Sequence, residues 1–270
     1  MIYLGISNSL QSGACLIINN KIIGAISEER LNRIKNFHGW PKLSINYLLK
    51  KASISLDDVD IITYGVITST EPEREILNKL IHIISNGCIN NPRLKDKYVE
   101  RLTSEMLWNK KHLDEFLNWA KKNSVFNKLK FLDHHLSHAS GAYFTSPFNE
   151  ALVFTCDAKG NYKSASVNIG KNTKISNLDY STTFDSIGYF YANITKALGF
   201  KVDRHEGKVT GLAAFGNPKK FTKITNQMLK FENGKIKLQM GDYYLPWSCD
   251  KKDLPLLYKK VKKNKREDVA

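Results

Sequence analysis

The sequence predicts a two-lobed α/β protein in which a cleft separates two related halves. Two observations support this prediction: three short β-rich segments open the chain, and a similar run returns after residue 149. Segments with helical periodicity follow each run. The polar turns between strands would face the cleft, where backbone N–H groups can hold a phosphate. We place the first lobe at residues 1–148 and the second at residues 149–270.

The first lobe is predicted to begin with three strands. Residues 1–30 alternate short β-branched apolar runs with polar turns such as Asn19-Asn20, which is typical of consecutive hairpins. Pro41 then precedes apolar residues at helical spacing, so a helix follows. Residues 59–68 are apolar enough to form a strand in the core.

A helical insertion is predicted over residues 71–125. Its two halves, 71–84 and 107–123, are highly charged and show helical periodicity, and glycine, asparagine and proline interrupt the pattern between them. We expect Trp108, Phe116 and Trp119 to face the core. Residues 128–133 then form the last strand of the first lobe.

The second lobe repeats the three-strand pattern over residues 151–181. A helix is predicted for residues 185–200, where Gly199 provides the residue that ends it. A segment punctuated by glycines follows at residues 207–218, and the basic C-terminal tail has helical character. The element order is therefore the same in both lobes, with strands first and helices afterwards.

The composition is that of an ordinary globular protein, with 42% hydrophobic and 11% aromatic residues. No apolar run is long enough to span a bilayer and no leader peptide is visible, so we expect a soluble cytoplasmic protein without a membrane partner. The net charge of +15 comes from lysines spread along the whole chain, which favours a generally basic composition over a dedicated surface for polyanions.

The 4 cysteines lie far apart in the sequence, which argues against a zinc site built from closely spaced cysteine pairs. Cys15 and Cys156 lie within apolar runs, and we expect both to be buried as small hydrophobic residues. Neither therefore enters the set of candidate site residues.

A histidine cluster, "HHLSH", is the strongest local signal in the sequence. If a helix begins near Asp133, His134 and His138 lie one turn apart and can bind the same metal ion. Asp157, at the end of the next strand, is the natural third ligand and would complete a two-histidine-one-carboxylate set, whereas His135 points elsewhere. The alternative is that Asp133 or His134 caps the helix and the other histidines are exposed or packed. The spacing does not distinguish zinc from iron or manganese.

Three long stretches match the ordered motifs of one known family. "HHLSHASGAYFTSPFNEALVFTCDAKG" is similar to HHxxHAxxAYxxSPF…A…DGxG, and "EERLNRIKNFHGWP" is similar to EERxxRxKxxxxFP. "GYFYANITKALGFKVDRHEGKVTGLAAFG" is similar to GxxYxxxTxxLGFKxxxxEGKxMGLAxYG. These motifs belong to the nodulation and antibiotic O-carbamoyltransferases, which the chain resembles over nearly its whole length. The resemblance implies the RNase H-like fold of actin, Hsp70 and the sugar kinases, and a relation to the universal tRNA threonylcarbamoyl-transfer protein.

The resemblance also implies a reaction. In the family, ATP and carbamoyl phosphate form carbamoyl adenylate in a separate C-terminal domain, and the first domain transfers the carbamoyl group to a hydroxyl of a sugar or antibiotic. His134 and His138 would be metal ligands, and Asp157 a metal ligand or catalytic acid. A zinc-like or iron-like divalent metal would polarise the carbamoyl carbonyl, while a base removes the hydroxyl proton.

Further site residues follow from the same motifs. Lys208 is assigned to catalysis as a phosphate or adenylate contact, with Glu206 beside it, and Gly160 and Gly211 are assigned to binding of the phosphate-bearing substrate. The alternative for Glu206 and Lys208 is a local ion pair that orders the loop. Five charged residues are either cleft residues or, as we favour for most of them, a structural ion-pair network: Glu28, Glu29, Arg30, Arg33 and Lys35.

The chain departs from the family pattern in several places. Leu10 and Gln11 stand where the family segment GINxxHDASAAL has histidine and aspartate. Thr210 stands where the family segment EGKxMGLAxYG has methionine. Ala158 replaces a glycine of DGxG, which would strain a left-handed backbone at that position. The chain also ends at a point that is mid-domain in the family. We therefore expect an incomplete second lobe that needs a partner chain or a C-terminal domain.

Two other functions stay open at this point. Leu10 and Gln11 favour a non-catalytic binding or scaffold subunit of a biosynthetic assembly. The charge of +15 favours a tRNA-binding relative, although the long motif matches point to the enzymes that act on small molecules. A hydroxylated small-molecule acceptor is therefore the expected partner, and nucleic acid is the weaker alternative.

Overall fold

The computed structural model describes residues 1–65, 77–78, 80–82, 84–85, 92–246 and 250–270. They divide into two compact units, Met1–Asn90 with Lys95–Ser137, and His138–Ala270 with Asn91–Leu94. Each unit contains helices and β-strands, so the predicted α/β class is confirmed. The division of the chain after residue 148 stays a prediction.

The first unit is built on a five-stranded mixed sheet. Its strands are β1 (Ile2–Ser7), β2 (Gly13–Ile18), β3 (Lys21–Ser27), β4 (Ile61–Tyr64) and β5 (Leu129–Phe131). The first three form the predicted antiparallel meander, and β4 and β5 add in parallel to give the order β3-β2-β1-β4-β5. Asn19 and Asn20 both have positive φ, which is the backbone twist that a tight hairpin turn requires.

The short helix α1 (Glu28–Asn32) follows β3, and helices α2 (Lys42–Lys51) and α3 (Pro92–Lys122) pack on one face of the sheet. Leu48 of α2 and Phe116 of α3 join Leu4 and Leu16 of the sheet in one core, and all four side chains are fully buried. The apolar stripes read from the sequence therefore meet in a single hydrophobic cluster.

Helix α3 lies within the predicted helical insertion and begins at Pro92, inside the segment that was expected to interrupt it, whereas residues 71–76, 79, 83 and 86–91 lie outside the described part of the chain. Phe116 is buried and Trp119 packs against the same core. The prediction for Trp108 is wrong, because its side chain is 40% exposed and its ring lies against His112, one turn further along α3. In the structure, Trp108 lies one residue away from the apolar face of α3, so its side chain is partly in contact with solvent.

The second unit contains a three-stranded antiparallel sheet of β6 (Glu150–Gly160), β7 (Lys163–Lys171) and β8 (Lys174–Thr182). Asn161 and Tyr162 form the turn between β6 and β7, and both have positive φ. Ala158 does not, so the expected strain at that alanine is absent. The two residues with a left-handed backbone, Asn161 and Tyr162, follow Gly160 and so lie outside the DAKG motif.

Helices and a hairpin make up the rest of the second unit. They are α4 (His134–Phe144), which begins just before the unit boundary, α5 (Ile187–Ala197), α6 (Glu206–Ala213), α7 (Thr222–Met228), β9 (Leu229–Glu232), β10 (Lys235–Leu238), α8 (Pro255–Lys262) and α9 (Arg266–Val269). Gly199, with φ of 81°, follows α5 as predicted. A second core forms around Val209, Met228, Tyr244 and Leu254. Within the described residues, no helix has both the length and the apolar run needed to cross a bilayer.

The expected burial of the cysteines is wrong. Cys156 is exposed and Cys15 is only half-buried. Cys156 lies on the same face of β6 as the exposed Phe154, so an apolar sequence context did not lead to burial. Cys88 and Cys249 lie outside the described residues.

Candidate metal centre

Helix α4 begins where the sequence predicts, and its first turn is capped by Asp133. The Asp133 carboxylate Oδ1 accepts a hydrogen bond from the backbone N–H of Leu136 at 2.8 Å. The Ser137 hydroxyl donates to the Asp133 carbonyl at 2.9 Å. An aspartate at this position satisfies one of the N–H groups that a helix leaves unpaired at its start. The cap and the histidine spacing are therefore compatible features of the same turn.

The structure brings together His134, His138 and Asp157, whose potential ligand atoms all lie within 4.8 Å of one another. The His138 Nε2 atom is 3.5 Å from Asp157 Oδ2. His134 and Asp157 are half-buried, whereas His138 is exposed. Ligands of one zinc or iron ion, bonded at about 2.1 Å, stand roughly 3.4 to 4.2 Å apart, so small side-chain rotations suffice. Two imidazoles and a carboxylate open to solvent on one side fit a divalent ion with exchangeable positions.

Asp157 lies in a bulge of β6. The strand pairs with β7 at Cys156 and resumes at Gly160, which leaves the residues between them outside the regular ladder. Bulges of this kind re-aim side chains and are common near functional sites. The Ala158 N–H donates to Asp157 Oδ1 at 2.6 Å, and this contact fixes the orientation of the carboxylate.

The start of helix α5 holds this bulge in place. The Ser186 hydroxyl donates to the Ala158 carbonyl at 2.7 Å and accepts from the Tyr189 N–H, so it caps α5 at the same time. A Cβ atom on Gly188 would lie only 2.7 Å from the Cα of Ala158. Glycine is therefore needed for the helix to approach the bulge this closely.

The electrostatics of the site favour a cation. The hydrogen bond and the charge of Asp157 raise the pKa of His138, although partial burial opposes the shift. The same carboxylate, together with burial as the larger cause, raises the pKa of the Cys156 thiol. The negative charge that favours a proton on His138 also favours a metal ion between the two side chains. His135, in contrast, is fully buried, with its ring edge-to-face at 5.5 Å from that of His134.

Comparison with known proteins assigns the family. The model described as "Carbamoyltransferase N-terminus" matches residues 3–265. The chain belongs to the carbamoyltransferase family. Nodulation protein NolNO of Sinorhizobium fredii is 30% identical over 229 residues, which are 84% of this chain and 31% of that protein. An uncharacterised protein of Synechocystis is 31% identical over 231 residues, or 85% of this chain and 37% of that protein.

A shorter match links the chain to nodulation protein NolO of Bradyrhizobium diazoefficiens, with 33% identity over 96 residues, or 36% of this chain and 17% of that protein. The chain spans about a third of the length of the NolNO and Synechocystis relatives. The recognition of the family from its motifs is therefore confirmed.

Other residues that the carbamoyltransferase motifs single out lie on helix α6. Glu206 begins this helix, and its carboxylate accepts from the Asp203 N–H at 2.7 Å instead of forming the alternative ion pair with Lys208. Lys208 and Gly211 are exposed, and Gly160 is buried at the end of β6. Glu206 is not a member of the group formed by the two histidines and Asp157. The roles assigned to these residues stay predictions.

The EER segment, residues 28–30, has a structural role that the sequence analysis described only in part. The buried Glu28 carboxylate accepts from the Leu43 N–H at 2.9 Å, the Ser44 N–H at 2.7 Å and the Ser44 hydroxyl at 2.6 Å. Glu29 accepts from the Asn36 N–H at 2.6 Å. Both carboxylates therefore bind backbone N–H groups where ion pairs were expected, and Glu28 caps the start of α2.

The loop after β1, where the chain departs from the family pattern, is anchored by a residue that the sequence analysis missed. Asn8 is fully buried and donates to the His112 carbonyl at 3.0 Å and to Glu115 at 2.7 Å. It accepts from the Tyr64 hydroxyl at 2.5 Å, and burial raises the pKa of that tyrosine. An asparagine in a polar loop carries no sequence signal for such a network. Leu10, by contrast, is 53% exposed.

Proposed function

We propose that this chain transfers a carbamoyl group from carbamoyl adenylate to a hydroxyl of a sugar or another natural product. Membership of the carbamoyltransferase family supports the transferred group. The clustering of His134, His138 and Asp157 is the single observation that supports a reaction site here. ATP and carbamoyl phosphate would supply the adenylate through a separate domain or chain.

We further propose that the two units are the two lobes of an RNase H-like fold. The repeated meander supports this assignment, since β1-β2-β3 and β6-β7-β8 are both antiparallel runs of consecutive strands. In each unit helices follow the meander in the chain. Duplicated supersecondary units of this kind are typical of folds with two related halves.

The proposed reaction is an acyl transfer. The acceptor oxygen attacks the carbamoyl carbon, the bond from that carbon to the phosphate oxygen breaks, AMP leaves, and the hydroxyl proton passes to a base. A zinc-like or iron-like divalent ion supplies Lewis-acid polarisation of the carbonyl when it is bound. His134, His138 and Asp157 hold it, and the Ala158 N–H keeps Asp157 oriented.

Helix α6 would bind the phosphate-bearing part of the substrate. Lys208 is exposed in the first turn of this helix, where its ammonium group adds to the positive end of the helix dipole. Glu206 ties the same turn to the Asp203 N–H and so positions Lys208. Gly211 and Gly160 would contact the substrate, and apart from its own helix backbone no atom lies within 4 Å of the position that a Cβ atom on Gly211 would occupy.

Metal analysis of the purified chain tests the site directly. After incubation with zinc or iron(II) and removal of excess metal, we expect about one equivalent bound per chain, as the set of three ligands implies. His134→Ala and His138→Ala should each lower the metal affinity at least 10-fold, within the range of effects described for metal ligands and their supporting residues. His38→Ala, at an exposed histidine outside the group, serves as the matched control. Wild-type stoichiometry in both ligand variants would disprove the site.

A transfer assay tests the reaction. The chain is combined with intact NolNO carrying the substitution equivalent to His134→Ala, so that only this chain supplies a complete histidine pair. Carbamoylated acceptor should appear with wild-type chain and be absent with the His138→Ala chain.

The exposed Leu10, in place of the family histidine, supports a non-catalytic binding subunit as the second candidate. No transfer by the wild type, together with partner binding that survives His134→Ala, would favour it. Steep weakening of tRNA binding with salt would instead support the tRNA-binding alternative.

A further inference from the structure

Helix α6, which carries Lys208, makes few contacts of its own that would fix its position. Gly207 and Gly211 account for two of its 8 residues, and glycine is a poor helix former. Val209 is the only side chain of this helix that is buried. Most of the stability of a helix in a protein comes from tertiary packing, so the position of α6 depends on contacts made by neighbouring segments.

Arg266 of helix α9 holds the chain that enters α6. Its guanidinium donates to the Leu198 carbonyl at 2.7 Å, and its Cζ atom lies 4.5 Å from the centre of the Phe200 ring. The Phe200 ring meets the ring of His205 edge-on, with the two centroids 6.2 Å apart. His205 immediately precedes α6, and its carbonyl accepts from the Lys208 N–H at 2.9 Å. A continuous series of contacts therefore joins Arg266 to the first turn of α6.

Asp268, also on α9, holds the chain that leaves α6. Its Oδ1 accepts from the Asn217 N–H at 2.8 Å, and its Oδ2 accepts from Lys220 Nζ at 2.9 Å. A Cβ atom on Gly216 would lie 1.7 Å from the Glu267 carbonyl oxygen, so only glycine allows α9 to pass this close to the end of α6. One short helix thus contacts the segments on both sides of α6.

The surroundings of Asp268 are those of a positioning residue and not of a substrate ligand. Only 6% of its side chain is exposed, and both carboxylate oxygens already accept hydrogen bonds. The Lys220 ammonium compensates its charge, so the carboxylate does not repel an anion that binds to α6. Any effect of Asp268 on a ligand must therefore pass through the helix that it holds.

We propose that Arg266 and Asp268 hold the two ends of α6 and thereby keep Lys208 in position for a phosphate-bearing substrate. This inference rests on the proposed function, which assigns Lys208 to that phosphate. A helix of 8 residues is a rod about 12 Å long, so fixing both ends sets the place of every side chain between them. Releasing either end allows the helix to turn or fray, which moves the Lys208 ammonium away from its ligand.

Binding of AMP to the full chain, measured by isothermal titration calorimetry, gives the first test. AMP is the probe because the proposed reaction releases it. We expect about 10-fold weaker binding in Lys208→Ala, since a charge-assisted contact is lost. Binding should be about 5-fold weaker in Asp268→Asn and in Arg266→Ala, because a small displacement of the ammonium weakens the same contact. Asp268→Glu keeps the carboxylate and should recover most of the affinity that Asp268→Asn loses.

Asp179→Asn is the matched control for the loss of an aspartate. Asp179 also accepts from a lysine, Lys235, and from a backbone N–H, that of Tyr180, but it lies on β8. This variant should bind AMP as the wild type does.

A double variant separates positioning from general destabilisation. If Asp268 acts through Lys208, adding Asp268→Asn to Lys208→Ala should weaken AMP binding by less than about 2-fold further. An equal loss of affinity in both backgrounds would overturn the proposal. Wild-type affinity in Asp268→Asn and Arg266→Ala would also overturn it.

Hydrogen exchange gives a second test that needs no ligand. The amides of residues 210–213 should exchange about 10-fold faster in Asp268→Asn and in Arg266→Ala, whereas those of α5 keep their wild-type rates. The two variants remove different contacts, so Arg266→Ala gives the answer if Asp268→Asn does not fold. Unchanged exchange in α6 would overturn the proposal.

The outcomes distinguish this inference from the proposed function. A wild-type chain that does not bind AMP would overturn the role of Lys208 in the proposed function, and the positioning role with it. Binding that requires Lys208 but neither Arg266 nor Asp268 would overturn the positioning role alone.

Discussion

The first three strands of the first sheet and the strands of the second sheet have a similar sequence pattern, but equivalent apolar side chains are buried in the first sheet and exposed in the second. In the first, Leu4 and Leu16 are completely buried, and β4 and β5 extend the sheet beyond β1. In the second, Phe154 pairs with Val167 as Leu4 pairs with Leu16, yet Phe154 is 62% exposed, and among the described residues β6 is an edge strand. The comparison teaches that alternation of apolar residues specifies a strand and its faces, while burial depends on which other segments arrive to cover them.

The largest hydrophobic core of the second unit lies among its helices. Tyr244, Leu254 and Leu257 are buried with α5, α6 and α8 in a core to which the exposed Leu152 and Phe154 do not belong. Asp185 helps to connect this part with the sheet, since it accepts from Lys237 Nζ and from the Leu238 N–H. Stability in this unit should therefore depend on the helical core more than on the exposed side of the sheet.

The variant Leu4→Ala gives the most direct test of the difference in burial between the two sheets. Removing a fully buried leucine side chain should lower the free energy of unfolding of the first unit by about 3 kcal/mol, because the cavity adds to the lost hydrophobic transfer. Urea denaturation followed by hydrogen exchange within β1 would measure it. A loss below about 1 kcal/mol would mean that the face is not packed as described.

A smaller effect is expected for Glu28→Gln. The buried carboxylate accepts from the N–H groups of Leu43 and Ser44, and the neutral amide is a weaker acceptor that brings a donor with no partner. The free energy of unfolding should fall by about 2 kcal/mol, consistent with loss of charge-assisted bonds at a helix start. Glu232→Gln, at an exposed side chain on β9, is the control and should leave the stability unchanged. Equal stability of both variants would contradict the capping role of Glu28.

The stability of the second unit should depend on pH through Asp268. Hydrogen bonds from Lys220 and from the Asn217 N–H lower the pKa of Asp268. Because the folded-state pKa is below that of the unfolded chain, the stabilisation is fully present above the unfolded value near ~4 and is lost as pH falls through the folded value. Asp268→Asn should therefore flatten the acid side of the stability curve. Thermal unfolding between pH 2 and pH 6 would measure this, with Asp242→Asn as the exposed control. A curve as steep as that of the wild type would contradict it.

The smallest effect is expected for Phe154→Ala, and it sharpens the comparison most. This side chain is equivalent to Leu4 but is 62% exposed, so the free energy of unfolding should change by less than about 0.5 kcal/mol. Urea denaturation of the chain alone would measure it. A loss as large as that of Leu4→Ala would show that the Phe154 side chain is already covered.

The histidine site shows how much of a site can be predicted from the local sequence pattern. Spacing alone placed His134 and His138 one helical turn apart, because an α-helix fixes positions four residues apart. The sequence left open whether Asp133 or His134 caps this helix, and the structure shows Asp133. The approach of Asp157 also agreed with the prediction, but its cause was not readable. The bulge, the Ser186 clamp and the close approach at Gly188 all depend on contacts across the fold.

The failures share one physical origin. Cys156 was assigned to the interior from its apolar neighbours in sequence and Trp108 from helical periodicity, and both are exposed. Asn8 was given no role and is the centre of a buried hydrogen-bond network. Polar neighbours in the sequence do not reveal which distant groups will surround a side chain after folding.

By itself the sequence determined the carbamoyltransferase family, the meander of each unit and the helical turn that carries two histidines, because periodicity and motif order are properties of neighbouring residues. Only the tertiary structure decided that Asp157 meets the histidines, that Glu28 caps α2, and that one apolar face is buried while its counterpart is bare. Burial and hydrogen-bond partnership depend on segments far away in the chain, and no local pattern encodes which of them will come into contact.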